Sequence, residues 1–193
     1  MSGYTQAELD DIQAKWNLRF PPDLVDLYRQ RRRVIEHAEI KFSSFDWLTD
    51  PEERIRAAID WPLEGFLFDA DHGLWWPEWG EMPGASDERH EKMRAIFSAA
   101  PKLIPIYGHR CIPETPYESG NPIFSVWQMD VIVYGADLQD YVRHELSPGL
   151  NDPLPPVKEI PFWSRAVAFN NDRFANGASF SFLNKGGVLP ESD

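Results

Sequence analysis

The stretch from Leu103 to Tyr141 constrains the fold of this chain more than any other part of its sequence. It contains three short runs of β-branched and aromatic residues, at 103–107, 123–128 and 130–134, separated by Gly, Pro and Asn. Such runs predict consecutive β-strands, and the short interval between the last two favours a hairpin or a bulged continuation. Asp137 then precedes a set of periodic apolar residues, where it is placed to cap a helix.

Length and composition favour one soluble domain. The chain has 193 residues, of which 42% are hydrophobic and 26 are aromatic, enough to bury a core and unlike a disordered sequence. No apolar run approaches about eighteen residues, so we expect no membrane span. The first residues do not show a charged segment followed by an apolar one, so we expect no signal peptide. Cys111, the single cysteine, leaves no internal disulfide and no multi-cysteine zinc site, which favours a reducing, cytoplasmic location.

The net charge of −12 is concentrated in one region. Residues 46–91 contain thirteen Asp and Glu residues and three Arg residues, a formal charge of −10, so the rest of the chain carries only −2. A surface with this charge repels nucleic-acid phosphates and attracts basic proteins. We therefore expect no nucleic-acid ligand. The charge is compatible with a basic protein partner or with solubility alone.

Helix signals dominate the first part of the chain. Thr5 and Glu8 have the spacing of a capping box, which begins a first amphipathic helix, and Pro21-Pro22 starts a second. The second helix ends in a dense basic run. This run is either a docking surface or a solvated helix end, where the negative C-terminal end of the helix dipole stabilises basic side chains. The run consists of Arg29, Arg31, Arg32 and Arg33.

The acidic region mixes helix and strand signals. Asp50 and Pro51 are suited to begin a helix, and Ser86 to Ala100 reads as another helix that Pro101 ends. Short aromatic or apolar runs predict a possible strand at 40–49 and further strands at 65–68 and 74–76, with a turn at 71–73.

Helices come first, strands lie in the middle, and no regular strand–helix repeat is visible. This order predicts an α+β domain built on a mainly antiparallel sheet flanked by helices, which we place at residues 1–147. Residues 148–193 form a Pro-rich connection and a C-terminal extension, whose apolar stretch at 160–169 is expected to pack back on the domain. Beyond it, 170–193 read as irregular with one short strand at 178–183.

Catalytic and metal chemistry are not favoured by the sequence. His109 and Cys111 suggest a nucleophile–base pair, but residues at this spacing on an extended segment need not meet. No nucleophile elbow, phosphate loop, dinucleotide fingerprint or metalloprotease motif occurs. We expect no catalytic residue, no cofactor and no metal. The alternative is a divalent-cation site made by Asp69, Asp71, His72 and His109, with Cys111 or Asp130.

The tryptophans are concentrated where the charge is. Five of eight lie within 46–91: Trp47, Trp61, Trp75, Trp76 and Trp79. They are either core residues or, in part, exposed anchors among acidic groups, an arrangement that suits a basic partner because Trp is enriched at interface hot spots. The predicted contact residues for such a partner are Asp69, Asp71, Trp76, Glu78, Trp79 and Glu81.

A set of short motifs extends from Trp61 to Leu146. The motifs are Trp61-Pro62-Leu63-Glu64-Gly65, Phe68-Asp69, His72, Trp75-Trp76-Pro77-Glu78-Trp79-Gly80, Pro101-Lys102-Leu103-Ile104-Pro105, Gly108-His109-Arg110, Gly120-Asn121-Pro122, and Tyr134-Gly135 followed by Asp137-Leu138 and Tyr141. A Pro also precedes the second helix, in Phe20-Pro21-Pro22-Asp23-Leu24. Together these motifs resemble the SUKH superfamily, which includes fungal cell-wall-assembly regulators and many bacterial immunity proteins.

The resemblance implies a non-catalytic α+β domain and, as in many members, an immunity protein that binds and blocks the active domain of a toxin. Many such toxins are nucleases with basic substrate-binding surfaces, for which the acidic 46–91 region would be a suitable decoy. Two alternatives remain: a regulatory or scaffold module that binds a cellular protein or peptide, and, less favoured, a metal-dependent enzyme.

Overall fold

The computed structural model describes residues 3–35, 45–147 and 152–175, and within them it confirms the predicted α+β class. Helices come before and after a compact group of strands, and a single 3-10 turn at Pro77–Trp79 lies between the third and fourth helices. The elements are α1 Gln6–Trp16, α2 Pro22–Gln30, α3 Glu52–Asp71, α4 Ser86–Ala99, β1 Leu103–Tyr107, β2 Arg110–Pro113, β3 Ile123–Trp127, β4 Asp130–Gly135, α5 Leu138–Leu146 and α6 Trp163–Ala175.

The four strands form an antiparallel meander in the order β1-β2-β3-β4. The hairpin predicted between the last two runs is confirmed: Trp127 pairs with Asp130 across a two-residue turn, where Gln128 has a φ of 57°. The sequence did not reveal β2, because a four-residue strand that begins with Arg and ends with Pro carries a weak strand pattern. Asp137 caps α5 as predicted, accepting a hydrogen bond from the backbone N–H of Asp140.

The first two helices form as the sequence predicts. Thr5 accepts a hydrogen bond from the backbone N–H of Glu8, while the Glu8 carboxylate accepts one from the N–H of Thr5 at 2.7 Å, so both halves of the capping box are present. Pro22 begins α2. In the basic run that follows, Arg32 pairs with Glu8 at 3.3 Å and Arg33 pairs with Asp50 at 3.2 Å, so these arginines tie neighbouring segments together.

The strands predicted at 65–68 and 74–76 are wrong. Residues 65–68 belong to α3, which continues through Pro62 with its buried side chains on one helical face, because packing against the core outweighs the strand-like local composition. Residues 74–76 are irregular and lead into the 3-10 turn. Residues 45–49 are loop and turn, and the rest of the possible strand at 40–49 lies outside the described residues.

Asp50 does not cap α3. The residue before the helix is Pro51, which makes no side-chain capping bond. The carboxylate of Asp50 instead pairs with Arg33 and Arg54, and it accepts a hydrogen bond from the backbone N–H of Asp46 at 3.2 Å. Its charge therefore links the end of the α2 region to the first turn of α3.

Both faces of the sheet are buried. One hydrophobic cluster joins α1, α2, the start of α3 and α5 to side chains such as Ile104 and Ile112. The other joins the end of α3, α4 and α6 to Phe124 and Val131. Since side chains of a strand alternate between its faces, each strand contributes to both clusters, which accounts for the nearly continuous burial of β1.

The segment 160–175 lies against this sheet, whereas 152–157 are exposed. Ile160, Trp163 and Ala166 are buried in the second cluster, and the indole N–H of Trp163 donates to the carbonyl of Pro101 at 2.7 Å. We expected irregular structure from residue 170 onward. This prediction is wrong for residues 170–175, because α6 continues to Ala175. The strand predicted at 178–183 lies outside the described residues.

Candidate partner-binding surface

Asp69, predicted as a contact residue, is buried. Only 1% of its surface is exposed, and its Oδ2 accepts a hydrogen bond from the backbone N–H of Met129 at 2.9 Å. Burial raises the pKa of this carboxyl above its ordinary value. Asp69 therefore fastens α3 to the β3–β4 turn, and it cannot belong to an exposed contact surface.

Trp76, a second predicted contact, is also a core residue. It is 2% exposed and is stacked between Trp79, with ring centroids 4.4 Å apart, and Phe162, at 5.5 Å. Trp79 is half-buried in the same group, next to Phe66. The Trp-rich motif thus seals the second hydrophobic cluster against α6, and the prediction of Trp76 as a partner contact is corrected.

Asp71 is exposed but surrounded by its own partners. It accepts hydrogen bonds from Ser86 at 2.8 Å and Arg89 at 2.9 Å, and the ring of His90 lies 2.8 Å away. The hydrogen bonds from Ser86, Arg89 and His90 lower the pKa of Asp71 to about 2. Its role visible in the structure is to join the end of α3 to the start of α4.

Glu78 and Glu81 complete the predicted set, and both are exposed. Glu78 forms an ion pair with Arg165 of α6, so its charge is partly compensated. The backbone carbonyl of Glu81 accepts a hydrogen bond from Lys92 at 3.3 Å. The structure therefore keeps these two carboxylates, and with them Asp71, at the surface, while it removes Asp69 and Trp76 from it.

A different exposed surface brings acidic and aromatic side chains together on α3. Glu53, Asp60, Trp61, Glu64 and Phe68, which we call the α3 stripe, are all exposed. At about 100° per residue they fall within an arc of about 100°, opposite the buried face of the helix. None of its three carboxylates has a hydrogen-bond or ion-pair partner within the described ranges.

Large aromatic rings stand exposed along this stripe. Phe68 is 45% exposed and packs on the His72 ring at 4.1 Å. Trp61 is 39% exposed and Trp127, at the end of β3, is 50% exposed, with ring centroids 5.1 Å apart. The indole N–H of Trp61 donates to the carbonyl of Val126 at 2.9 Å, which fixes its ring. These rings are preorganised apolar anchors.

Sequence reasoning missed most of these residues for one reason. Treating 65–68 as a strand hid the helical spacing that puts Trp61, Glu64 and Phe68 on one face. A helical reading that continued through Pro62 would have found the stripe. Nothing in the local pattern places Trp127, which is distant in sequence, beside Trp61.

A groove adjoins the Trp61–Trp127 pair. It encloses about 530 Å³ between α3 and the β1–β2 turn, and four of its ten described lining residues are Phe, Tyr or Trp. Arg110 donates to Nε2 of His109 at 2.8 Å, and its guanidinium lies 4.3 Å from the centroid of the Tyr134 ring. Burial and the charge of Arg110 lower the pKa of His109. The described lining residues are Phe45, Arg54, Ala57, Ala58, Trp61, Tyr107, Gly108, His109, Arg110 and Trp127.

The side chains of the alternative metal hypothesis do not converge on one site within the described ranges. His109 lines the groove, whereas Asp69 is buried at the β3–β4 turn and His72 stacks on Phe68. Among the residues that the structure describes, no three His, Cys, Asp or Glu side chains form a group able to hold a metal ion. Burial raises the pKa of the Cys111 thiol to about 12, so at neutral pH the sulfur is a thiol and not a nucleophilic thiolate.

No protein-family model, no curated protein and no solved structure matches this chain. In the described ranges, no helix is both long enough and apolar enough to cross a membrane.

Proposed function

We propose that this chain is a non-catalytic protein-binding domain of SUKH type that acts in the cytoplasm as an immunity protein. It neutralises a basic, nuclease-type toxin domain, and its principal contact surface is the α3 stripe. This proposal rests on one helical face that combines exposed, immobilised aromatic rings with carboxylates that have no partner in the described ranges.

The two kinds of side chain have complementary effects on binding. The carboxylates of the α3 stripe have no partner among the described residues, and their field accelerates association with a basic surface and orients it. Aromatic rings whose positions are already fixed lose little conformational entropy when a partner covers them. Trp61, Phe68 and Trp127 therefore supply the apolar area of an interface whose acidic surroundings select a basic partner.

The position of the stripe refines the interpretation based on the resemblance. The acidic region stays the proposed binding region, but its contacts move from the Trp-rich motif at 75–79 to α3 and the end of β3. Glu78 and Glu81 remain exposed and would extend the acidic field. Because Arg165 compensates Glu78, we expect Glu78 to contribute less than Asp60 or Glu64.

A charge-reversal experiment tests the proposal against a toxin domain encoded next to the gene of this chain. Asp60→Lys combined with Glu64→Lys should weaken binding at least about tenfold at physiological salt, mainly through slower association, because the field of the stripe is reversed. The measurement is surface plasmon resonance at several salt concentrations. A toxicity assay in cells should show the same loss of protection.

The matched control changes the same charge elsewhere. Asp10→Lys combined with Asp11→Lys alters two exposed acids of α1 and should leave affinity within about twofold, since α1 lies outside the proposed surface. If the two double variants weakened binding equally, only the net charge of the chain, and not the position of the stripe, would matter for binding. No binding of the native chain by the neighbouring toxin domain would reject the immunity function.

A second function, a regulatory or scaffold module that holds a peptide of a cellular protein, is favoured by the groove beside Trp61. A preformed concavity of about 530 Å³ is within the size range of ligand sites. If the gene has no toxin neighbour and the chain binds a cellular protein in a way that Trp127→Ala abolishes, this function replaces the first.

A further inference from the structure

The groove beside the Trp61–Trp127 pair is already formed in the free chain. The Trp61 ring is held by its bond to the Val126 carbonyl, and the Trp127 ring packs on it at 5.1 Å. On its other side, Trp127 contacts the His109 ring at 5.4 Å. Phe45 is 6% exposed and lines the groove as well. A partner side chain that enters therefore meets aromatic walls whose positions are already fixed.

The polar lining of this groove is cationic. Arg54 and Arg110 both line it, and Arg54 pairs with Asp50. Arg110 forms no ion pair with a carboxylate in the part of the chain that the structure describes, and its buried Nε has no hydrogen-bond partner there. Glu145 acts electrostatically on Tyr107 but is not bonded to Arg110. His109 accepts a hydrogen bond from Arg110, and burial together with the charge of Arg110 lowers its pKa, which favours the neutral ring and adds no competing charge.

The groove and the acids of α3 adjoin one another beside Trp61. Arg54, Ala57 and Ala58 line the groove; at about 100° per residue Ala58 is rotated by about 160° from Asp60, whereas Ala57 is rotated by only about 60° from it. Glu53 and Glu64 are on the same side as Asp60. The surface therefore combines an acidic strip with an adjoining cationic, aromatic groove, and the exposed Trp61 ring and Ala57 lie at their border.

We propose that the groove receives an apolar or aromatic side chain of the bound protein, and that an adjacent acidic side chain of that protein places its carboxylate on Arg110. This inference rests on the proposed protein-binding function and adds the chemistry of one partner segment. A partner that is basic overall would carry an aromatic residue beside an acidic one in the segment that meets the groove. Because the groove attracts an acidic side chain whereas the α3 stripe attracts basic ones, this contrast would fix the orientation of the partner on the stripe.

A blocked dipeptide tests the inference without any toxin. The probe is N-acetyl-Phe-Asp-amide, titrated into the full chain, and the readout is the NMR signals of the Trp61 and Trp127 indole N–H groups, assigned with Trp61→Phe and Trp127→Phe. Both signals should shift, and the Asp probe should bind about threefold more tightly than N-acetyl-Phe-Asn-amide at low salt. N-acetyl-Phe-Lys-amide should bind more weakly than either.

Variants then assign the preference to Arg110. Arg110→Gln should abolish the preference for Asp over Asn while the Asn probe still binds. The matched control is Arg19→Gln, because Arg19 also stacks on a ring, that of Tyr117 at 3.5 Å, but lies outside the groove. If Arg110→Gln does not fold, Ala57→Glu places a carboxylate in the groove from an exposed helical position and should weaken the Asp probe selectively.

Three results would overturn the inference: indole signals that do not respond to the Asp probe at about 10 mM, equal affinity for the Asp and Lys probes, or a preference for Asp that survives both variants. Each differs from the failure of the immunity function, which is read from toxin binding and from the Asp60 and Glu64 variants. The experiments can therefore reject the inference about the groove while toxin binding by the stripe is retained. They can equally reject toxin binding while the groove still binds the Asp probe.

Discussion

At the scale of single residues, burial determined which acidic groups can act at the surface. Asp69 and Asp71 are two positions apart in sequence, yet one is buried beneath the β3–β4 turn and the other is exposed among Ser86, Arg89 and His90. Their pKa values accordingly shift in opposite directions, upward for Asp69 because of burial and downward for Asp71 because of hydrogen bonds. Only the three-dimensional environment distinguishes these two carboxyls.

The buried carboxyl of Asp69 predicts a specific pH dependence. Because its pKa is raised in the folded state, folding favours the protonated form, and stability from this group is lost as pH rises from about 4, the ordinary Asp value. Asp69→Asn retains an acceptor for the Met129 N–H and should remove this loss. Between pH 4 and pH 7, the free energy of unfolding measured in urea should therefore fall more, or rise less, in the native chain than in the variant.

Asp69→Leu separates the charge of this residue from its hydrogen bond. It leaves the Met129 N–H without an acceptor and should lower the free energy of unfolding by about 1–3 kcal/mol at both pH values. A pH slope in Asp69→Asn equal to that of the native chain would show that Asp69 is not the titrating group.

At the scale of elements, α3 shows how packing overrides local pattern. Its sequence contains Pro62 and the strand-like run at 65–68, but the helix continues because Ile55, Pro62 and Phe66 share one buried face. Close contact explains the Gly at position 65: a Cβ there would lie 2.7 Å from Cα of Gln128 in the β3–β4 turn. The approach of helix and turn thus requires the smallest residue.

Gly65→Ala is accordingly expected to destabilise the fold although it improves helix propensity. Propensity favours Ala by about 1 kcal/mol, but displacement of the turn backbone costs about 1–3 kcal/mol, so the net effect should be a loss. The midpoint of urea unfolding measures it. Gly84→Ala is the control, since a Cβ at Gly84 meets nothing within 4 Å. Stabilisation by Gly65→Ala would contradict the close approach of α3 to the turn.

At the scale of the whole molecule, α6 covers the second face of the sheet. Its Trp163 is 2% exposed and contacts Phe97 and Phe66 at centroid distances of 5.8 Å and 6.2 Å. Trp76 reaches the same cluster through Phe162. The segment 152–175 therefore contributes to the same hydrophobic core as the strands and α4.

Removing the Trp163 ring should be costly for this reason. Trp163→Ala leaves a large cavity among aromatic rings and should lower the free energy of unfolding by about 3–5 kcal/mol, with loss of near-ultraviolet circular dichroism from the cluster. Phe68→Ala is a matched control, because its ring is 45% exposed. Comparable destabilisation by the two variants would contradict the placement of α6 in the core.

Sequence patterns predicted much of this architecture because their causes are local. The capping box at Thr5 and Glu8, the hairpin around Gln128 and the cap at Asp137 depend on residues a few positions apart. Predictions were wrong where contacts between distant segments determine the structure. Residues 65–68 are helical because of their packing, and Trp76 is buried because Phe162 and α6 cover it.

The sequence by itself determined an acidic, aromatic-rich α+β domain, since charge, composition and short-range periodicity are properties of the chain as written. Only the tertiary structure decided which acids and rings reach the surface. Asp69 and Trp76 are buried, whereas Trp61, Phe68 and Trp127 are exposed. Trp61 and Trp127 are more than sixty residues apart in sequence, yet their rings are in contact. Burial depends on contacts between segments remote in sequence, and no local pattern encodes those contacts.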